Sequence, residues 1–396
     1  MKEGSPAAPK NNLQELTSLF LKLGVTAFGG PAAHIAMMQQ EVVDRRKWMD
    51  HAHFLDLIGA TNLIPGPNST ELAIHIGYER GGWRGLLLAG ACFILPAVLI
   101  TGVIAWLYQQ YGQLPQVTPF TYGIRPAIIS IILGATWPIA RRALKLGGGP
   151  QGPGVQVAAA SSSLELGILG LLVLAATLMG VDEIYAMFGA GLVTLLLFAL
   201  RRSRNTVRSL FPFLQISSPA AAFQVKIFFT FLKIGAILYG SGYVLFAFLD
   251  KELVAKGLLT KHQLTDAIAI GQFTPGPVFS SVTFIGWQMN GLSGAALATL
   301  AIFLPSFVFV ALSHPLIPRM RRSGLFSAFL DGVNISAVAI ILTVCISLGR
   351  ETISDWRTIL LALISLAVVF RFPRLNSFWV VVGGSLLGYF LSLIQP

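Results

Sequence analysis

The sequence predicts an all-α polytopic membrane protein: an inverted-topology repeat of two homologous halves. About ten full spans are expected, plus two re-entrant half-helix pairs broken at Pro-Gly-Pro. Three observations predict it. First, the 396 residues are 54% hydrophobic and only 11% charged, whereas a soluble domain carries about 25% charged residues. Second, the surplus of 28 Lys+Arg over 17 Asp+Glu lies mostly in short clusters between apolar runs, the pattern of membrane loops and not of a nucleic-acid-binding face. Third, the second half repeats the first. Phe20-Leu21-Lys22-Leu23-Gly24 returns as Phe231-Leu232-Lys233-Ile234-Gly235, and Glu41 as Glu252, at an offset of 211. Asp56 returns as Asp266, and Pro65-Gly66-Pro67 as Pro275-Gly276-Pro277, at 210. Gly77, Leu95-Pro96 and Gly123 return as Gly286, Leu304-Pro305 and Gly332 at 209. So long a period marks a duplicated half, not a solenoid.

Residues 1–12 form a polar tail. The first repeat covers 13–200, with apolar runs near 13–30, 85–108, 121–140, 164–180 and 184–200. A cleaved signal peptide is the other reading of the first run, but the same run recurs deep in the chain, where nothing could be cleaved. Gly147 to Ser163, rich in Gly, Pro, Ala and Ser, reads as a loop. A basic cytoplasmic linker follows at 201–222, with Arg201, Arg202, Arg204 and Arg208. The second repeat covers 223–396, with runs near 223–249, 292–313, 327–349, 356–370 and 376–393.

Two further runs, 53–78 and 262–288, are interrupted by their Pro-Gly-Pro. Each side has about a dozen residues, roughly 16–18 Å of helix, half a bilayer. Arg45, Arg46 and Lys47 precede the first, and Arg80 and Arg84 follow it. Both clusters favour the cytoplasm, and only a re-entrant hairpin returns to the side it left. The same count places the clusters at Arg141, Arg319 and Arg371 inside. It also inverts the halves: the loop at Arg45 is cytoplasmic, and its counterpart with Lys251, Glu252, Lys256 and Lys261 is external.

Paired, Pro/Gly-interrupted segments in inverted halves point to a secondary transporter. A half-helix start offers free N–H donors and partial positive charge. Asn68, Ser69 and Thr70 follow the first break, and Ser280 and Ser281 the second, donors suited to an oxyanion; ordinary N-capping is the structural alternative. Lys22 and Lys233 lie mid-run in matched positions and could together hold a dianion, or snorkel to an interface. Glu41 and Glu252, like Asp56 and Asp266, lie near span ends, where salt bridging is the default. Glu71 and His75, one helical turn apart, have no acidic or His counterpart in the second half and suit proton handling or a local structural pair. Arg125, opposite Asn334 in the repeat, and Asp331 are further intramembrane polar positions. Gly29, Gly30, Gly240 and Gly242 end the first run of each half, either for close helix packing or as a substrate-facing break. Cys92 and Cys345 lie in apolar runs, without metal spacing. No GxSxG, HExxH or GK[ST]-ended P-loop is present, so neither an enzyme nor an ATP-driven pump is expected.

Phe28-Gly29-Gly30, Glu41-Val42-Val43, Arg45-Arg46-Lys47-Trp48, Phe54-Leu55-Asp56, Pro65-Gly66-Pro67-Asn68, Gly77-Tyr78 and Leu95-Pro96 resemble the chromate ion transporter family. Gly271 through Pro277 and Phe303-Leu304-Pro305-Ser306 resemble the second domain of its long members. Gly30-Pro31, and Tyr239-Gly240-Ser241-Gly242 in the second copy, depart from the commoner FGGG. The resemblance implies chromate efflux from a bacterial cytoplasm by an inner-membrane secondary transporter, with no cofactor or metal. The expected partners are a chromate- or sulfate-like dianion and the bilayer, with no nucleic acid and with homodimerisation open. Transport of sulfate, another anion or a lipid phosphate is the alternative; an intramembrane enzyme or scaffold is a third class.

Overall fold

The computed structural model describes residues 12–28, 30–112, 118–146, 162–202, 223–239, 242–313, 323–373 and 375–393. Gly29, Gly240, the stretch 203–222 of the expected linker, most of the expected 147–163 loop and the cluster at Arg319 lie outside the described residues.

Every regular element among the described residues is helical, and the two halves have the same seven α-helices in the same order. In the first half these are α1 (Asn12–Thr26), α2 (Gly30–Gln39), α3 (His51–Thr61), α4 (Asn68–Tyr111), α5 (Thr118–Ala143), α6 (Ser163–Leu178) and α7 (Glu183–Arg202). In the second they are α8 (Phe223–Ile237), α9 (Val244–Leu249), α10 (Lys261–Phe273), α11 (Ser281–Ser313), α12 (Gly324–Thr352), α13 (Trp356–Arg371) and α14 (Ser377–Ser392). Both α2 and α9 run on into a π-helical turn, Gln40–Arg45 and Asp250–Val254, which carries the matched glutamate. Caps are repeated too. Asp50 accepts from the His53 amide to start α3, and Thr260 accepts from the Gln263 amide at the same place before α10.

The expected span at 13–30 is the 15-residue α1 alone, and that at 223–249 holds two helices. α1 stops at Thr26, and α2 begins at Gly30 with φ +77° followed by Pro31, which has no N–H to continue a helix. Gly24, near the end of α1, packs against the Cys92 and Phe93 carbonyls in mid-α4, while Glu15, near its start, pairs with Arg80. The chain then turns back, so that Glu41 meets Lys22 and Arg46 lies over Trp48, as does Arg80. Residues 12–45 are therefore a short helical hairpin, and α8 with α9 repeats it.

The Pro-Gly-Pro runs form a second hairpin in each half. α3 leads into the break, and the first limb of α4 leads out. Gly81 and Gly82 have non-helical angles, and the chain reverses there, bringing Gly77 against the Gly85 carbonyl. Asn290 and Gly291 interrupt α11 in the same way, with Gly286 against the Gly294 carbonyl.

The long limbs of α4 and α11 pack against each other. Phe307 lies against Gly90, and from the short first limb of α11 Trp287 donates to Gln109 Oε1 at 2.8 Å and Gln288 to the Ala105 carbonyl at 3.4 Å. The halves are also interleaved. α5 is flanked by α13 and α14 of the second half: Gly123 lies on Gly384, and Ser130 donates to the Ala362 carbonyl at 3.0 Å. Its counterpart α12 is flanked by α6 and α7 of the first: Gly332 lies on Ala190, and Gly170 on Ile335. Small residues at these contacts let backbones approach, the means by which helices associate when lipid offers no hydrophobic driving force.

The described residues include five helices long and apolar enough to cross a membrane: Asn68–Tyr111, Tyr122–Ala143, Glu183–Arg201, Val278–Ser313 and Gly324–Thr352. Their outer faces carry large exposed apolar side chains, among them Leu99, Val103, Leu200, Leu300 and Leu312. In a chain this poor in charge, that surface belongs against lipid.

Candidate functional site at the crossed Pro-Gly-Pro elbows

Each break is tied to the opposite half, and reciprocally. The Gly66 amide donates to the Leu238 carbonyl at 2.8 Å, and the Gly276 amide donates to the Ala27 carbonyl at 2.9 Å. Each elbow is thus tied to the end of the first hairpin helix of the other half. Both glycines need positive φ, +139° for Gly66 and +87° for Gly276. Neither has room for a side chain. A Cβ on Gly66 would lie 2.1 Å from Glu71 Oε1 and 2.8 Å from Ser306 Oγ, and one on Gly276 would lie 2.8 Å from Ala97 Cβ.

Around this crossing the interior is polar. Thr70, Glu71, Ser280, Ser281 and Ser306 are all at most 2% exposed. Their side-chain oxygens have no hydrogen-bond partner among the described residues, nor does Gln272 Nε2. An unmet buried polar group costs about 1–3 kcal/mol, and more where lipid replaces water. Six such groups along the two elbows are costly unless a ligand or water engages them. Ser69 is held differently: His34 Nδ1 lies 3.3 Å from its hydroxyl, and His34 Nε2 lies 3.1 Å from the Ala27 carbonyl. The Tyr243 hydroxyl donates to Gln272 Oε1 at 3.3 Å and closes the side facing Gly30.

Of the sequence-derived set, Gly66, Thr70 and Glu71 line the first elbow and Gly276, Ser280 and Ser281 the second, with Pro65, Pro67, Pro275 and Pro277 flanking the glycines. Asn68 instead donates to Asn62 Oδ1 at 2.6 Å, at the partly exposed edge of α4. His75 is fully buried one turn further along α4. Gly242 lies beside Val278 and Phe279.

Lys22 and Lys233 have carboxylate partners of their own. Lys22 Nζ is 2.9 Å from Glu41, which Arg45 at 2.9 Å and Arg46 at 3.5 Å also approach. Lys233 Nζ is 2.7 Å from Glu252, which Lys256 also contacts. The lysine side chains are 54% and 48% exposed, so both ammonium groups extend outward from their helices. Arg125 lies 3.7 Å from Asp266, which also accepts the Tyr108 hydroxyl at 2.6 Å. Asp266, expected near a span end, is only 6% exposed. Lys145 holds Asp331 at 2.6 Å, and in the mirrored place Tyr122 donates to Asp355 at 2.5 Å. Among the described residues no group of three or more His, Cys, Asp or Glu could hold a metal ion.

Sequence reasoning passed over His34, Gln272, Tyr243 and Ser306 as site residues. His34, Tyr243 and Ser306 have no matched polar residue in the other half, whereas Gln272 matches Asn62 at offset 210, a signal the sequence did offer. Ser306 sits opposite Ala97 at offset 209, and His34 opposite Leu245 at 211.

The duplicated pattern matches a known family model, described as chromate transporter, over residues 14–197 and 225–389. The chain belongs to that family. A chromate transport protein of Cupriavidus metallidurans is 30% identical over 393 residues, covering 96% of this chain and 94% of the relative. A probable chromate transport protein of Synechococcus elongatus is 30% identical, covering 90% of each. The chromate transport protein of Pseudomonas aeruginosa is 27% identical, covering 87% of this chain and 83% of the relative. No solved structure matches. Family and apolar helices together make this an integral membrane protein of a transporter family, not a family of enzymes.

Proposed function

We propose that the protein is a secondary transporter that exports chromate from the cytoplasm across the bacterial inner membrane by alternating access, and so confers chromate resistance. The observation that carries this reading is the junction of the Pro-Gly-Pro elbows, a buried polar centre built by both halves. Hydroxyls of Thr70, Ser280, Ser281 and Ser306 with Gln272 Nε2 offer neutral donors to a tetrahedral oxyanion. The starts of α4 and α11 supply the helix-end polarity such an anion favours.

In this proposal the halves lie in opposite orientations, which the α4–α11 contacts support. Phe307, late in α11, meets Gly90, early in the long limb of α4, while Trp287 meets Gln109 at the other end. A rocking motion of one half against the other would then open the elbows to alternate sides. Lys22 and Lys233 are assigned to the two approaches. Glu41 with Lys22, Arg45 and Arg46 is a net positive cluster, as is Glu252 with Lys233 and Lys256, and such fields concentrate anions.

The test is flux in proteoliposomes loaded with chromate, sulfate or a short-chain lipid phosphate. Chromate efflux is expected to exceed the others and to fall at least tenfold when Thr70 and Ser281 are both changed to Ala. Preference for sulfate or lipid phosphate, or full chromate efflux by the double variant, would overturn the assignment.

A further inference from the structure

Glu71 and Ser306 come from opposite halves and converge on one point of the first elbow. A Cβ built on Gly66 would lie 2.1 Å from Glu71 Oε1 and 2.8 Å from Ser306 Oγ. Glycine leaves that space to the two oxygens. The repeat gives each an equivalent: Glu71 matches Ser281 at offset 210, and Ser306 matches Ala97 at 209. The equivalent contact is present too. A Cβ on Gly276 would meet Ala97 Cβ at 2.8 Å, with the Gly24 and Phe93 carbonyls next nearest. The second elbow thus has a methyl where the first has a hydroxyl, so duplication does not account for the polarity at Gly66.

Both side chains are fully buried, and neither the Glu71 oxygens nor Ser306 Oγ has a hydrogen-bond partner among the described residues. No ion pair among the described residues reaches the carboxyl. α11 has no charged residue over 281–313. On the other elements packed against this limb of α4, Lys22 is engaged by Glu41, Glu15 by Arg80, His53 by Glu79, and Asp266 by Tyr108 and Arg125. His34 lies against Ser69 and the Ala27 carbonyl. Asp56 and the Tyr239 phenol carry no positive charge, and His75, one turn along α4, makes no hydrogen bond to Glu71. A carboxylate in this place would be a bare charge in surroundings that cannot solvate it, so Glu71 is the neutral acid with or without an anion beside it. A neutral carboxyl in an anion site is a donor: its O–H gives a strong hydrogen bond, and it brings no charge to repel the ligand. The matched Ser281 also presents an O–H, and the carboxyl reaches two carbon atoms further.

We propose that Glu71 in its acid form and Ser306 are the donor pair that fixes the oxyanion at the Gly66 elbow, one such pair per chain. The ligand class is a compact oxyanion whose oxygens only accept hydrogen bonds. Held by Glu71 of α4 and Ser306 of α11, it bridges the two halves. No covalent bond changes, and no proton is exchanged with water on loading. This inference rests on the oxyanion reading above.

The test is calorimetric titration of the purified full chain with chromate, in two buffers of different ionisation enthalpy, at a pH where chromate is the dianion. The wild type is expected to give the same binding heat in both buffers. Glu71→Gln keeps a neutral donor and is expected to bind within about threefold of the wild type. Glu71→Leu removes the donor at similar volume, and Ser306→Ala installs the residue that the second half carries. Each is expected to weaken binding roughly tenfold or more, the worth of a hydrogen bond to a charged group. Glu71→Leu is also expected to melt no lower than the wild type, because it removes an unmet buried polar group; a carboxyl with a purely structural role would make it melt lower. Proton uptake by the wild type that vanishes in Glu71→Gln would show an ionised carboxyl and overturn the acid form. Wild-type affinity in Glu71→Leu or in Ser306→Ala would overturn the pair and leave the oxyanion site standing. Should Glu71→Leu fail to fold, lost binding in Glu71→Gln or full binding in Ser306→Ala decides against the pair. A wild type that binds neither chromate nor sulfate would instead sink the oxyanion reading, and the pair with it.

Discussion

Replacing Gly66 with alanine separates the elbow from a generic bend. At φ +139° an L side chain is strained by about 1–3 kcal/mol. The new Cβ would also lie 2.1 Å from Glu71 Oε1 and 2.8 Å from Ser306 Oγ, so one of them must move. Overpacking of this kind costs about 1–3 kcal/mol. The sum is about 2–6 kcal/mol, and it falls on the groups assigned to the anion. Gly82→Ala is the control. Gly82 also has positive φ, +56°, but a Cβ there would meet no atom within 4 Å. Its cost is therefore conformational only, about 1–3 kcal/mol. Thermal denaturation of the detergent-solubilised proteins, followed by intrinsic tryptophan fluorescence, reads the first quantity, and chromate flux reads the second. Gly66→Ala should melt below Gly82→Ala and lose at least about thirtyfold in flux, the equivalent of 2 kcal/mol. Equal melting of the two variants, with wild-type flux in Gly66→Ala, would refute the view that the elbow is closely fitted around its ligand groups.

Other outcomes follow from the same geometry. Lys22→Ala should lower stability by no more than about 1 kcal/mol, because the pair is half exposed and Arg45 and Arg46 remain beside Glu41; Glu41→Gln should cost more, since it leaves three cations without their anion, and paired melts of the two variants check the order. Tyr108→Phe removes the hydroxyl that Asp266 accepts at 2.6 Å and should cost about 1–3 kcal/mol; a Tyr108→Phe melt equal to wild type would show that water replaces the bond. Cysteine accessibility tags at Lys47 and Lys256 should report opposite faces of the membrane, and labelling from a single side would refute opposed halves.

Much of this arrangement was legible in the chain because duplication repeats information. The offsets at Lys22, Glu41 and Pro65-Gly66-Pro67 located the two elbows and both copies of the charged residues, but not that each lysine pairs with the glutamate of its own half. Proline and glycine chemistry then sufficed to predict the breaks at 53–78 and 262–288. Periodicity could not reveal that 13–30 also breaks, because a short apolar hairpin and a single span have the same composition. The decisive signal there was local: Gly30-Pro31, which the helix cannot continue through. The partners of the elbows were hidden for another reason. Ser306 and His34 reach the site through tertiary packing, and no spacing rule connects Ser306 to Gly66. The lysines illustrate a third limit. Their depth along a run was readable, but a flexible side chain carries the charge several ångströms from its Cα, and the paired glutamate decides where it ends.

The interleaving of the halves has a consequence for how the molecule is made. α5 is covered by α13 and α14, and α13 begins at Trp356, about 210 residues after α5 ends at Ala143. At roughly 5–20 residues per second, translation leaves α5 without its neighbours for about 10–40 s. During that interval the nascent first half sits in the membrane with a glycine-lined groove facing lipid or the insertion machinery. The second half therefore finishes its predecessor as well as itself, and truncation anywhere before Ser377 should send the chain to quality-control proteolysis rather than yield a working half.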